Sequence, residues 1–377
     1  MRKHYFCAML KFKKIMWILF IILLTATIGG IIFMHTPKFG KNPSDKDLAR
    51  VEQSPNYRKG QFQNLQHTPA MAEGENFYTY MRDIVFKKVD NRVPKHAIST
   101  HKSNLKELDH SENLMVWLGH GSYYMQIDGK RFLIDPVLVA ASPVSFFGGA
   151  FSGSEVYTTA DMPAIDYLII THDHWDHLDY DTVKELKNDT LTVVCPLGVG
   201  SHFRHWHWLN EQIVELDWQD QIQLHDKLTL HALPSRHFSG RGLARNKTLW
   251  ASFLLETSMG NIFLSGDGGY GSHIKEIKKQ FGNIRFAVLE NGQYDRKWAN
   301  IHFMPEKLKL VVNELQPQEF ITVHNSKYAL AQHNWYEPME NMFPFTESDS
   351  THLLLPLIGD VVRLDGENKL DSPWWRE

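Results

Sequence analysis

The chain has 377 residues, 43% hydrophobic and 12% aromatic, which is ample for a sizeable core and excludes a disordered chain. A formal charge of −3 argues against the basic surface of a general nucleic-acid binder, so no nucleic acid is expected among its partners. Only two cysteines are present, Cys7 and Cys195, too few for a disulfide scaffold or a thiolate-rich metal site, whereas 21 histidines ask for a use.

In chain order, residues 15–34 come first as twenty residues without a charge. At about 1.5 Å per residue they make roughly 30 Å of helix, the thickness of a bilayer core. Arg2, Lys3, Lys11, Lys13 and Lys14 precede this run, while Lys38 and Lys41 follow it. The bias predicts a cytoplasmic basic tail over residues 1–14, a single-pass signal anchor over 15–34, and the bulk of the chain on the periplasmic or extracytoplasmic side, as in a bacterial inner membrane. The competing reading is a cleaved signal peptide, but the apolar run is too long, and Gly29, Gly30, Ile31 and Ile32 offer no small-residue cleavage pattern. Cys7 and Cys195 then fall on opposite sides of the membrane and form no disulfide.

Residues 35–110 are polar with little periodicity, apart from a short helix predicted over 77–89, and read as a stalk or a wrap over the domain that follows. The domain predicted over residues 111–377 opens with strands at 114–118, 123–127 and 131–134, the last two a hairpin around Asp128 and Gly129. Further strands are expected at 165–171, 190–194, 227–233, 250–256, 261–265, 285–289 and 319–323. Helices are expected between several of them, notably over 181–187 and from Pro305, where Leu308, Val311, Val312 and Leu315 share one face. Strands mixed with helices make an α/β layered fold, and the early hairpins exclude a purely parallel sheet.

The strongest chemical signal is the run His172, Asp173, His174, Trp175, Asp176, His177. It follows a predicted strand directly, so it occupies a loop at a strand's carboxyl end, where α/β folds place their sites. Neutral imidazole and carboxylate suit borderline cations such as Zn²⁺, and Mn²⁺ or Fe²⁺ can occupy the same donors. Three more candidates follow predicted strands in the same way: His237, Asp267 and His324. Taken singly each is a turn or strand-end residue, and it is their shared placement that makes them candidates. His202, His205 and His207, among Trp206 and Trp208, read as surface or packing residues instead. Gly266, Gly268 and Gly271 fit a dinucleotide pattern by accident, late in the fold and with no acidic ribose partner. No Gly-x-Ser-x-Gly elbow competes for a nucleophilic mechanism.

This order of ligands resembles the dinuclear metallo-β-lactamase superfamily. More narrowly, the chain is similar to the branch containing N-acyl-phosphatidylethanolamine-hydrolysing phospholipase D. That similarity rests on Trp117, Leu118, Gly119, His120, Gly121 and Ser122, on Leu133 to Pro136, on Ala141 to Pro143, on Ser265 to Tyr270, and on Ile301 to Glu306. The resemblance covers about residues 110–340. It implies a four-layered αββα sandwich behind the anchor, with His172, His174 and His237 on one metal, Asp176, His177 and His324 on the other, and Asp267 bridging. The two cofactor ions would be Zn²⁺, and Asp176 and Asp267 would be catalytic as well as ligating. His302 is a candidate for substrate contact by resemblance alone.

Two metals about 3.5–4 Å apart can share a hydroxide and clamp the substrate oxygen that gains charge, so the expected reaction is hydrolysis by direct attack, with no covalent enzyme intermediate. The leading substrate is a phospholipid phosphodiester, with the membrane as partner and residues 137–151, including Phe146 and Phe147, as wall of an acyl channel or as a packing loop. The alternatives are a lactonase or other ester hydrolase of a soluble small molecule, and a membrane-anchored lipid-binding or sensing protein without turnover. Oligomeric state leaves no trace in the sequence.

Overall fold

The computed structural model describes residues 2–144, 149–348 and 350–376; Phe146 and Phe147, expected in a channel wall or a packing loop, lie outside the described residues. Helix α1 runs unbroken over Arg2–Met34. Within it, Leu10–Met34 is the one stretch among the described residues long and apolar enough, by length and composition, to cross a membrane, and none of it is buried. The hydroxyls of Thr25 and Thr27 donate to the carbonyls of Ile21 and Leu23, so neither leaves a polar group unsatisfied on the apolar surface.

The chain then lays α2 (Asp45–Val51), a short hairpin of β1 (Tyr57–Arg58) and β2 (Gln61–Phe62), and α3 (Phe77–Phe86) over the body that follows. This is a wrap because Val51 and Phe62 are completely buried in the same core as the sheets. The side chain of Asn76 starts α3 by accepting from the N–H groups of Tyr78 and Thr79.

Two seven-stranded sheets follow. The first takes β3 (Leu114–Trp117), β4 (Tyr123–Ile127), β5 (Lys130–Ile134), β6 (Tyr167–Ile169), β7 (Thr192–Pro196) and β8 (Ile213–Leu216). The second takes β9 (Gln221–His225), β10 (Leu228–Leu233), β11 (Ser252–Thr257), β12 (Gly260–Leu264), β13 (Ile284–Glu290), β14 (Glu319–Val323) and β15 (His352–Leu353), before β16 (Val361–Arg363) returns to the edge of the first. Each sheet has three antiparallel pairings followed by three parallel ones. The β4–β5 turn needs positive φ at both central residues, and Asp128 and Gly129 supply it at 51° and 69°.

Strand alternation explains the layering. Met115, Trp117, Phe132, Ile134, Ile169 and Val194 face the second sheet in one apolar cluster, while Leu114, Val116, Leu133, Leu168 and Val193 belong to another. That second cluster receives Val183 of α4 (Tyr180–Leu186) and Phe203 of α5 (Gly200–His205). On the far side of the other sheet lie α6 (His273–Phe281), α7 (Pro305–Leu315) and α8 (Glu337–Met342), with Ile274, Ile277, Leu308, Val311, Val312 and Leu315 buried. The fold is a four-layered αββα sandwich.

The predicted strands at 123–127 and 319–323 and the helix from Pro305 have the bounds read from the sequence. The strand expected over 165–171 is shorter, because Ile170 and Thr171 already lead into the loop that carries the histidines. Strands β8, β9, β15 and β16 were not anticipated. In Gln221–His225 only Ile222 and Leu224 alternate with polar residues, and both stay half-buried, while β15 has two residues, so each apolar pattern is short.

Candidate metal centre

The loop after β6 is pinned before it reaches the histidines. Asp135, just past β5 and 2% exposed, accepts from the Thr171 N–H at 2.7 Å and the Thr171 hydroxyl at 2.6 Å. Because that hydroxyl donates to Asp135, it accepts from Nδ1 of His172 at 3.0 Å, which puts the His172 proton on Nδ1 and a lone pair on Nε2. His237 is set the same way, since its Nδ1 lies 2.7 Å from the carbonyl of Ile301, which can only accept. Asp135 also takes Nδ1 of His177 at 2.8 Å, leaving Nε2 of that ring to face the cluster.

These rings aim at one another. Nε2 of His172 lies 2.9 Å from Nδ1 of His174, which lies 3.2 Å from Nε2 of His237. Two of the three nitrogens are lone pairs by the argument above, so the cluster cannot satisfy itself. Tetrahedral Zn–N bonds of about 2.0–2.1 Å place ligand nitrogens roughly 3.3 Å apart, close to the spacing found. Alongside, Oδ1 of Asp267 lies 3.2 Å from Nε2 of His177, and Oδ2 lies 3.3 Å from Nε2 of His324 and 3.8–3.9 Å from those of His237 and His172. Oδ2 of Asp176 lies 3.3 Å from Nε2 of His324 and 3.8 Å from that of His177. All seven sequence candidates are therefore brought together, with Asp267 between the two groups, and the donor chemistry fits divalent cations.

Electrostatics point the same way. Burial, reinforced by neighbouring imidazoles, holds His172 and His237 well below the ordinary histidine value, and burial takes His174 down to about 4, leaving these rings neutral as ligands must be. For His177 burial opposes the charge, but Asp267, Asp176 and Asp135 outweigh it and raise the pKa well above the usual value. A cation seated there would displace that proton. Asp176 and Asp267 are held well below the carboxylate range although burial opposes it, by His177 and His324 among others.

Sequence reasoning left several contributors unassigned. His120 is buried with Nε2 2.9 Å from Oδ2 of Asp176, and its carbonyl accepts from the His324 N–H. Both His120 and His324 have left-handed φ, at 52° and 69°, so the close approach of β3's end to β14's end holds non-glycine residues in a costly conformation. Glu290 accepts from the Gly268 N–H at 2.6 Å and pairs with Nδ1 of His302 at 2.6 Å, joining the Asp267 loop to His302. His120 and Asp135 stand within the stretches that carry the family resemblance, the one signal that could have found them; nothing in the sequence marks Glu290. His202 is buried on Asp173 and His205 and His207 are exposed, so none of the three joins the cluster.

A cavity of about 330 Å³ opens over these residues. Met71, Phe238, Trp298, Ile301 and Leu330 give it an apolar wall, Tyr80 and Arg245 add polar groups, and Ala70, Met71 and Tyr80 come from the wrap. The wrap also supports His237, whose backbone N–H and carbonyl both bond the side chain of Asn64. Gly269 allows a very close approach beside the site: a Cβ there would lie 1.9 Å from the carbonyl oxygen of Asn300, next to Ile301 that fixes His237. Gly269→Ala is expected to destabilise the fold by about 1–3 kcal/mol as overpacking does, and to loosen His237. A thermal melt together with metal content measures both, and an unchanged melt would refute it.

Comparison with known proteins starts from residues 130–325, which match the family described as "Beta-lactamase superfamily domain". The chain belongs to that superfamily. An uncharacterized protein of Mycobacterium tuberculosis is 36% identical over 331 residues, 86% of this chain and 88% of its own length. The N-acyl-phosphatidylethanolamine-hydrolyzing phospholipase D 1 of Caenorhabditis elegans is 26% identical over 278 residues, 68% of this chain and 75% of that protein, which supports the branch suggested by the motifs. Among solved structures, the isothiocyanate hydrolase from Delia radicum gut bacteria has a TM-score of 0.54 at 18% identity, covering 66% of this chain and 98% of that one, and so shares the fold. With its His/Asp cluster, this superfamily member is a metallo-β-lactamase-fold hydrolase with a site for divalent metal.

Proposed function

We propose that the chain is a dinuclear, zinc-dependent phosphodiesterase that cleaves phospholipid headgroups at the membrane to which α1 anchors it. The observation that carries the reading is the convergence of buried imidazole nitrogens on both sides of Asp267, lone pairs of His172 and His237 on one side and Nε2 of His177 and His324 on the other. His172, His174 and His237 would hold one cation, Asp176, His177 and His324 the other, with Asp267 shared. Such ions supply an activated water near neutral pH and Lewis acidity toward a phosphoryl oxygen.

The chain's own groups complete the assignment. Burial opposes charge on His302, but Glu290 outweighs it and lifts the pKa to about 9, which favours a proton on the ring. With Nδ1 engaged by Glu290, Nε2 is left for the cavity, where it can donate to a leaving-group oxygen. Arg245 at the rim suits a phosphate, and the apolar wall suits the lipid beyond it. The basic residues in the first half of α1, before its apolar run, support a cytoplasmic N-terminus, with the hydrolase outside. The cavity volume, at the low end of small-molecule sites, supports a second reading as a lactonase or other ester hydrolase of a soluble compound.

The test uses metal-quantified full-length protein in nanodiscs, supplied with N-acyl-phosphatidylethanolamine vesicles and separately with a lactone panel. Expected is release of phosphatidate with about two ions per chain, abolished by chelator and restored by Zn²⁺. Two ions with cleavage of lactones alone would replace the first reading by the second. Vesicle binding without turnover on any substrate would make the chain a lipid-binding or sensing protein.

A further inference from the structure

Residues 36–41, just past the anchor, reach the metal loop itself. Phe39 packs its ring edgewise on Trp175, centroids 4.9 Å apart at 80°, and Trp175 stands between His174 and Asp176. The guanidinium of Arg241 covers Trp175 at 4.0 Å. Arg241 is 3% exposed, and its bonds go to three carbonyls. Two belong to the ends of the loop, Asp173 at 3.0 Å and Leu178 at 2.6 Å, and the third is Lys38 at 2.7 Å. One buried side chain thus ties both ends of the loop to the segment after the anchor.

A second tie runs in parallel. The Lys41 N–H donates to Nδ1 of His202 at 3.0 Å, which makes that nitrogen an acceptor and leaves the proton on Nε2. Nε2 then donates to Asp173 at 3.1 Å, between the ligand candidates His172 and His174. Trp206 donates its indole N–H to the carbonyl of Pro37 at 2.7 Å. Gly40 lies so close to His202 that a Cβ would meet Nδ1 at 2.2 Å, and its φ of 65° already disfavours any other residue.

We infer that residues 36–41 are a strap that positions the metal loop, so that the ligand geometry of residues 172–177 is complete only when the strap is seated. Within the loop, backbone bonding is confined to one turn, in which the N–H groups of His177 and Leu178 reach the carbonyl of His174. The carbonyls of Asp173 and Leu178 are held by Arg241 instead, and Arg241 is held by the strap. The anchor therefore delivers to the site a segment on which the loop depends, beyond confining the enzyme to a membrane. This rests on the metal reading proposed above. Phe39, Gly40 and Arg241 act through the loop and are positioning residues.

The test measures Zn²⁺ affinity by chelator competition and the visible spectrum of Co²⁺-loaded full-length protein in detergent. Gly40→Ala and Phe39→Ala are expected to weaken zinc binding by about 10–100-fold, as loss of outer supports of metal ligands does, and to alter the Co²⁺ bands. Phe39→Trp keeps an aromatic edge on Trp175 and should restore both. Val51→Ala removes fully buried apolar volume beyond the strap, and should lower the melting temperature while leaving affinity and spectrum unchanged. If the two strap variants only lower the melting temperature, as Val51→Ala does, the strap is merely structural and the inference is overturned. Should Gly40→Ala fail to fold, the Phe39 pair decides alone. Wild-type protein that binds neither ion would overturn the metal reading itself, an outcome distinct from strap failure.

Discussion

Replacing Asp267 by alanine should reduce turnover by more than about 100-fold and lower the metal content, because the effect of losing a ligand exceeds the 10–100-fold typical of an outer support. One carboxylate here faces five imidazole nitrogens at 3.2–3.9 Å, that of His302 among them, and is the only group in the described residues that reaches both the His172 and His237 rings and the His177 and His324 rings. Without it, two cations would sit close together with less anionic charge between them. Asp267→Asn keeps the shape and removes the charge, so it separates packing from electrostatics and should lose nearly as much activity. Metal analysis and vesicle turnover are measured on the same preparations. A variant with alanine at position 267 that retains two ions and full turnover would remove Asp267 from the mechanism.

The largest expected effect on stability belongs to a residue of the same loop that points away from the cluster. Asp173 is completely buried and accepts from the Gly240 N–H at 2.6 Å, the Thr248 hydroxyl at 2.8 Å and Nε2 of His202 at 3.1 Å. Asp173→Ala leaves those donors unpaired beside the buried cation of Arg241, and breaking a buried charged network costs about 3–5 kcal/mol. Burial opposes ionisation of Asp173, yet the bonds from His202 and Thr248 and nearby positive charge hold its pKa well below the ordinary carboxylate value. A depressed native pKa contributes stability that is present above the unfolded value of about 3.9 and is lost only as pH falls toward the native one. The acid limb of the melting profile should therefore flatten in Asp173→Ala, along with a large drop in the midpoint at neutral pH. A midpoint equal to wild type would refute the assignment.

The histidine loop could be read without a structure because its donors fall within six residues directly after an apolar strand. His237, Asp267 and His324 were legible one step less directly, as residues following predicted strands, and they matter together only because parallel pairing of β12, β13 and β14 brings those strand ends to one edge. The wrap was legible only as one of two alternatives, a stalk or a cover. Val51 and Phe62 are isolated apolar residues in a polar stretch, and their burial depends on a surface built more than a hundred residues later.

What the sequence determined by itself is therefore what local pattern can encode: an apolar helix of membrane length, the alternation that makes most strands two-faced, the amphipathic helix from Pro305, and the concentration of donors at His172 to His177. Tertiary structure alone decided which imidazole nitrogen each histidine presents, because the choice is made by partners far along the chain, Asp135 for His177 and the Ile301 carbonyl for His237. It likewise decided that Glu290 pairs with His302, and that the segment after the apolar helix reaches the histidine loop through Arg241. Metal ligation and proton placement depend on distances of about 3 Å between residues separated by tens to hundreds of positions, and such distances exist only once the two sheets have packed.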